Sequence, residues 1–125
     1  MRAKQVLITG GAGFVGSHTA ARLLAAGHQV RIFDNLTSQV HRDRQFSSIP
    51  KDVEFIQGDV RNLDEVEKAV EGMEVIFHLA AAVGVGQSMY RIADYTATNN
   101  LGTANLLQAI LDTGSQPEKI VVASS

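Results

Sequence analysis

Apolar positions fall into two alternating rhythms along the chain. Residues 5–9, Gln5-Val6-Leu7-Ile8-Thr9, form a brief apolar run ended by two glycines, the pattern of a buried strand. Residues 13–26 follow with Val15, Thr19, Leu23 and Leu24 at helical spacing, and Gly27 stands where a helix C-terminal glycine belongs. Residues 29–33 give a second strand and 53–56 a third, separated by a polar loop from Asp34 to about Pro50. Loops that long in compact domains usually serve function or motion. Residues 62–71 put Leu63, Val66, Ala69 and Val70 on one face, the stripe of an amphipathic helix, with Asp64, Glu65, Glu67, Lys68 and Glu71 on its solvated side. The pattern then predicts a fourth strand over 74–78, a loop of small residues over 79–88 and one long helix over 92–113, ending before Gly114 and Pro117. A fifth strand is predicted over 119–123.

Strand and helix alternating through short connections imply right-handed crossovers and a parallel sheet covered by helices on both faces. The fold class predicted is α/β, a Rossmann-type doubly wound parallel sheet of five strands in the order 3-2-1-4-5. No repeat, low-complexity tract or domain boundary interrupts the pattern, so residues 1–125 are predicted to form one domain.

Composition narrows the partners. Apolar residues make up 45% of the chain and charged residues 19%, a globular balance. Eleven Lys+Arg against thirteen Asp+Glu leave a net charge of -2, so no basic field is available for nucleic acid or anionic lipid. With no cysteine there is no disulfide, thiolate metal site or cysteine nucleophile. No apolar run approaches bilayer length, and Met1-Arg2-Ala3-Lys4 leads into a strand rather than a signal-peptide core. The expectation is a cytoplasmic protein with a nucleotide-sized ligand and no nucleic-acid or membrane partner. His18, His28, His41 and His78 show no metal-ligand spacing, so no metal site is predicted.

The chemistry begins where the first strand ends. Thr9-Gly10-Gly11-Ala12-Gly13-Phe14-Val15-Gly16 carries glycines at 10, 13 and 16, and equally at 11, 13 and 16, two spacings of a dinucleotide-binding fingerprint. A tight strand-to-helix turn uses positive φ, the backbone must come close to a pyrophosphate, and the last glycine lets helix pack on strand. The phosphates then meet unpaired N–H groups at the positive end of the helix. The spacing alone is a weak signal. Its position directly between a strand and a helix, with Asp34 ending the second strand 18 residues after Gly16, makes it specific. A carboxylate at Asp34 would accept both ribose hydroxyls of an adenosine and repel a 2′-phosphate, which favours NAD over NADP. Its alternative role is a turn residue opening the loop. Arg31, inside the strand, and Arg42, along the loop, are not placed to offset that repulsion.

Five stretches spread over the chain resemble the extended short-chain dehydrogenase/reductase family, in its NAD-dependent nucleotide-sugar epimerase/dehydratase branch. They are Thr9-Gly10-Gly11-Ala12-Gly13-Phe14-Val15-Gly16-Ser17, Asp34-Asn35-Leu36, Gly58-Asp59-Val60-Arg61, His78-Leu79-Ala80-Ala81 and Asn99-Asn100-Leu101-Gly102-Thr103. The resemblance implies that Gly10, Gly13 and Gly16 shape the phosphate turn, that backbone at Phe14 and Val15 holds the pyrophosphate, and that Asp34, Asn35 and Leu36 bind the adenosine ribose side. It further implies that Asp59 and Val60 contact adenine, the Asp59 side chain receiving the exocyclic amine. Leu79, Ala80 and Ala81 would line the nicotinamide-ribose side, and Thr98 would approach the cofactor from the long helix. Asp59 has the alternative of capping the helix from Asn62, and Thr98 that of an ordinary helix residue. Residues 83–88 resemble the stretch that passes close to the nucleotide sugar in sugar 4-epimerases. Their Gly86-Gln87-Ser88 ahead of a long helix is more like the UDP-galactose or dTDP-rhamnose 4-epimerases than the 4,6-dehydratases.

The family's Tyr-x-x-x-Lys acid/base pair is not found: Tyr90 and Tyr95 are followed four residues on by Asp94 and Asn99. The final strand stops at Ser124-Ser125, one residue before the hydroxyl that binds the reacting sugar in the family. The resemblance therefore implies the cofactor-binding first part of a longer protein, lacking the catalytic helix and substrate domain, with no catalytic residue assigned and no turnover by itself. Two readings follow. One is the NAD-binding domain of a nucleotide-sugar 4-epimerase, which in the complete protein would exchange hydride between sugar C4 and NAD. The other is a non-catalytic dinucleotide-binding module or minimised fragment. The long helix has apolar residues on two faces, Ile92, Tyr95, Leu106 and Ile110 on one and Ala97, Leu101, Ala104 and Leu111 on the other. One face must cover the sheet, the second is expected to meet a partner, and the resemblance implies a homodimer through this helix.

Overall fold

The computed structural model describes residues 2–36, 49–80, 92–93 and 97–123. Strands β1 (Gln5–Thr9), β2 (Gln29–Asp34), β3 (Glu54–Gln57), β4 (Val75–His78) and β5 (Lys119–Val122) form one parallel sheet ordered β3-β2-β1-β4-β5. The order read from the sequence is the order observed. The chain runs outward from β1 to β3 and then crosses back to β4. Strand order therefore reverses at β1, and the carboxyl ends of β1 and β4 flank the crevice that such sheets open at a reversal.

Side chains alternate across each strand, so the sheet carries two separate cores. Val6, Ile8, Val30 and Ile32 are covered by Ala20, Leu23 and Leu24 of α1 (Phe14–Ala25). Leu7, Phe33 and Ile76 point the other way, against Val66, Ala69 and Val70 of α2 (Leu63–Val70) and Leu106 and Ala109 of α3 (Gly102–Asp112). Helices thus lie on both faces, as the doubly wound pattern requires. Arg31 is committed within this scaffold: Nη1 donates to the carbonyls of Ala69 and Glu71 at the end of α2, both at 2.8 Å, and Nε to Glu54 at 2.8 Å. It closes a helix end and is not available to a cofactor phosphate.

The long helix departs from its predicted form. Residues 92–93 are helical, but Ala97–Leu101 is a π turn and α3 starts only at Gly102. A π turn winds in extra chain and rotates the helical register. Ile92, placed by periodicity on the Leu106 face, is 67% exposed, while Leu106 is buried. Leu101, Leu107 and Leu111 are exposed. Strand β5 is an edge with all four residues exposed.

Candidate functional site

The glycine turn is built from backbone bonds. Gly10 takes φ 71° and donates its N–H to Phe33 O at 2.7 Å, while Gly13 N–H closes on Gly10 O at 3.1 Å. Gly13 is the N-cap of α1, with no side-chain cap and no acidic residue in the first turn; Ser17 N–H to Gly13 O, 2.9 Å, opens the helical ladder. The N–H groups of Phe14, Val15 and Gly16 precede that ladder and face out of the helix start. The glycines are not equivalent. A Cβ on Gly10 would sit 2.8 Å from Ala80 N, and one on Gly16 would sit 2.4 Å from Gly10 O and 2.6 Å from Gly11 Cα. A Cβ on Gly11 would press into buried Ile32 at 2.7 Å, so both fingerprint spacings have packing reasons. Only Gly13 has room, its nearest neighbour being Gly10 O at 3.4 Å. Phe14 and Val15 turn their side chains to solvent, which leaves their backbone as the part that faces the turn.

Asp34 ends β2 and is 7% exposed. Its Oδ2 accepts Ala12 N–H at 3.0 Å and its Oδ1 accepts Leu36 N–H at 2.7 Å. The turn role weighed from sequence is therefore real, and the same carboxylate also fastens the glycine turn to the start of the loop after β2. Leu36 sits at φ 56°, a left-handed backbone that a side chain of this kind rarely adopts. Gly58 N–H donates to Asp34 O at 3.0 Å, which brings the Asp59 loop beside Asp34-Asn35-Leu36.

At Asp59 the sequence pointed to an adenine contact or a helix cap. The cap is Asn62, whose side chain accepts from Glu65 N–H at 3.2 Å. The Asp59 side chain is gripped by Arg61: Nη2 donates to Oδ2 at 2.7 Å, Nε to Oδ1 at 3.0 Å, and the Arg61 N–H to Oδ1 at 2.9 Å. The Arg61 side chain is the main reason that the Asp59 carboxyl lies below its ordinary value of 3.8, with Asn35 adding a further hydrogen bond. Because the folded value is the lower one, this contribution to stability is complete above about pH 4 and is lost as pH falls through the folded value. Arg61→Ala is expected to return the Asp59 titration, followed by carboxyl NMR, toward its ordinary value. The melting temperature at neutral pH should change little, since a half-exposed pair contributes at most about 1 kcal/mol.

Three residues with no role read from the sequence hold this loop: Arg61, Glu65, which accepts Asp59 N–H at 2.9 Å, and Asn105 of α3, whose Nδ2 donates to Val60 O at 2.9 Å. The signal for Asn105 was an amide within an apolar helix, three residues after Gly102 and four before Ala109, both buried.

On the other side of the crevice, Leu79 and Ala80 follow β4 directly above Gly10. Both donate their N–H to Thr9 Oγ1 at 3.1 Å, and Leu79 N–H also reaches Thr9 O at 3.1 Å. Thr98 is half-buried within the π turn. Ala81, residues 83–88 and the far part of the loop after Leu36, with Arg42, lie outside the described residues. Gly10, Gly13, Phe14, Val15, Gly16, Asp34, Asn35, Leu36, Asp59, Val60, Leu79 and Ala80 thus sit on strand ends, turns or the start of α1, the edge that the sequence assigned to a dinucleotide. Among the described residues, no group of three or more His, Asp or Glu is arranged to hold a metal ion.

Comparison with known proteins agrees with this geometry. The model of the NAD dependent epimerase/dehydratase family matches residues 6–125. A UDP-N-acetyl-alpha-D-glucosaminuronate decarboxylase from Bacillus cytotoxicus is 35% identical over 98% of this chain and 36% of its own length. A UDP-glucose 4-epimerase sequence from Klebsiella pneumoniae is 34% identical over 88% of this chain and 82% of its own. Among solved structures, the Thermus thermophilus UDP-glucose 4-epimerase in complex with NAD superposes with a TM-score of 0.84 at 37% identity, covering 97% of this chain and 37% of that one. The chain spans about a third of the length of the first curated relatives it matches. A family match over nearly every residue, on the predicted fold and with the fingerprint turn in place, makes this chain a member of the NAD-dependent epimerase/dehydratase family.

Proposed function

We propose that this chain binds NAD along the carboxyl edge of its sheet and serves as the cofactor-binding domain of a nucleotide-sugar 4-epimerase, whose catalytic helix and substrate domain lie outside these residues. The observation that carries the reading is the start of α1. It has no side-chain cap and no acid in its first turn, and a Cβ at Gly13 would meet only Gly10 O, in ordinary contact at 3.4 Å. That cradle fits a pyrophosphate. Asp34 stands beside it for the ribose hydroxyls, Asp59 and Val60 for adenine, and Leu79, Ala80 and Ala81, with Thr98, for the nicotinamide half.

When bound, NAD would supply the hydride acceptor for sugar C4 in the complete protein. The residues here bind and orient it, and none of them is placed as the acid/base. The relatives and neighbours named as 4-epimerases support that reaction and a nucleotide-sugar substrate. A homodimer through residues 92–113 belongs to the same proposal, supported by the exposed Leu101, Leu107 and Leu111, as does a cytoplasmic location. No described helix is long and apolar enough to cross a membrane.

Calorimetric titration of the chain with NAD, and separately with NADP, tests the reading. NAD is expected to bind and NADP to bind clearly more weakly, because a 2′-phosphate would meet the Asp34 carboxylate while Arg31 is held at the end of α2. No binding of either by the folded chain, or a preference for NADP, would overturn it.

A further inference from the structure

A line of hydrogen bonds runs from the glycine turn to the π turn through a buried histidine. Leu79 N–H and Ala80 N–H both donate to Thr9 Oγ1. A hydroxyl has two acceptor lone pairs and one proton, so Thr9 has only its proton to offer His78 Nδ1, 2.8 Å away. At the other ring nitrogen, Nε2 lies 3.0 Å from Thr103 Oγ1, whose own proton goes to Asn99 O at 2.9 Å. Thr103 must therefore accept, and Nε2 must carry the hydrogen. The two ends, argued separately, require the same ring: neutral, protonated on Nε2.

We propose that His78 is a positioning residue for the nicotinamide half of the groove, its neutral Nε2–H ring joining Thr9, the backbone of Leu79 and Ala80, and the π turn that carries Thr98 into one frame. The consequence for the cofactor rests on the NAD reading above. A doubly protonated ring would turn an Nδ1–H toward a hydroxyl whose lone pairs are both taken. Thr9 would then have to release Leu79 or Ala80, or the ring would have to leave its place. The Ala80 backbone lies so close to Gly10 that a Cβ there would come within 2.8 Å of Ala80 N, so the loop has little room to shift toward the glycine turn.

The surroundings favour the neutral form. His78 is 4% exposed; β1 presents Thr9, β5 places Val122 in register beside it and sends Ala123 N–H to its carbonyl, and the π turn and α3 present Asn99 and Thr103. No described carboxylate or cation bears on the ring, and burial alone holds its titration below the ordinary 6.5. With the folded value lowered, the frame is complete at neutral pH. It weakens as pH falls below the ordinary value and through the folded one.

Long-range proton–nitrogen NMR of the His78 ring in this chain reads the tautomer with no ligand present. The expected result is Nε2–H at neutral pH, with the Leu79 and Ala80 amide signals shifting on acidification in step with the ring. Thr103→Val removes the acceptor at Nε2 and is expected to mix the tautomers and weaken NAD binding about tenfold, the size of one lost hydrogen bond to a buried group. Thr103→Ser keeps the hydroxyl and should keep both properties. An Nδ1–H ring, amides that ignore its titration, or Thr103→Val binding NAD like the unsubstituted chain would each overturn the proposal. Failure of the unsubstituted chain to bind NAD would remove the cofactor reading and the positioning role with it, whereas the ring and amide signals would still decide whether the frame exists.

Discussion

Gly16→Ala is expected to cost about 3 kcal/mol of stability, whereas Gly13→Ala, three residues earlier in the same turn, is expected to fold and yet bind NAD more weakly. The difference lies in what each new methyl group meets. At position 16 it would lie 2.4 Å from Gly10 O and 2.6 Å from Gly11 Cα, both backbone atoms of a turn already tied to β2 through Gly10 N–H. No rotamer change relieves that, so α1 must lift from the turn and uncover the Ala20 contact with the sheet. A thermal melt should fall by about 10 °C for a domain of this size. At position 13 the methyl finds ordinary contact at 3.4 Å and otherwise open space. The stability cost there is that of a poorer N-cap, about 0.5–1 kcal/mol, but the methyl occupies the place where a pyrophosphate would approach. Calorimetry should show NAD affinity reduced at least about tenfold, the effect of one lost phosphate hydrogen bond. Equal melting temperatures for the two variants, or undiminished NAD binding by Gly13→Ala, would contradict this division of labour.

Asp34→Asn should lower stability and cofactor affinity together. The carboxylate receives Ala12 N–H on one oxygen and Leu36 N–H on the other, in a site that is almost closed to water. An amide offers one oxygen and one NH2, so one backbone N–H would face a second donor. Leaving such a donor unsatisfied costs about 1–3 kcal/mol. The loss should appear in a chemical denaturation curve as a lower midpoint with an unchanged slope. NAD binding should weaken beyond what the stability change explains, because the ribose hydroxyls lose an acceptor as well. A midpoint like that of the unsubstituted chain would show that the two bonds contribute nothing net. Undiminished NAD affinity would remove Asp34 from the ribose site. The same two bonds make Asp34→Arg a poor probe of NAD against NADP, since it would empty the turn of its anchor while changing the charge.

The strands were legible because a buried parallel strand is a short apolar run, and all but the fourth were bounded by glycine or polar residues. Their ends moved only slightly: β2 extends to Asp34 and β3 runs from Glu54 to Gln57. The cofactor edge was legible for a related reason. Glycines whose Cβ atoms have no room, and an acid at a strand tip, leave their mark in single positions. What the sequence did not reveal are ties between residues that are strangers in the chain. Arg61 was quoted within a matching stretch but given no role, since nothing in one dimension shows a guanidinium folding back onto Asp59. Asn105 reached Val60, and Thr103 reached His78, only once α3 had been laid across the sheet. The π turn was hidden as well, because Leu106 and Ile110 read as the continuation of a face that starts at Ile92, and one wider turn leaves no gap in the apolar pattern.

Four of the bonds that tie the groove's segments together span large separations: 22 residues for Ala12 to Asp34, 45 for Asn105 to Val60, 69 for Thr9 to His78 and 71 for Ala80 to Thr9. Bringing such distant segments together carries a loop-closure cost that local turns avoid, so the order of events in folding follows from the wiring. The unit β1-α1-β2 can form early, with the fingerprint turn and Asp34 in it. The far wall cannot exist until β4 has inserted beside β1 and α3 has crossed the opposite face. A cofactor that needs both walls therefore acts on the last step of assembly, and at saturating concentration it would hold that step closed by mass action.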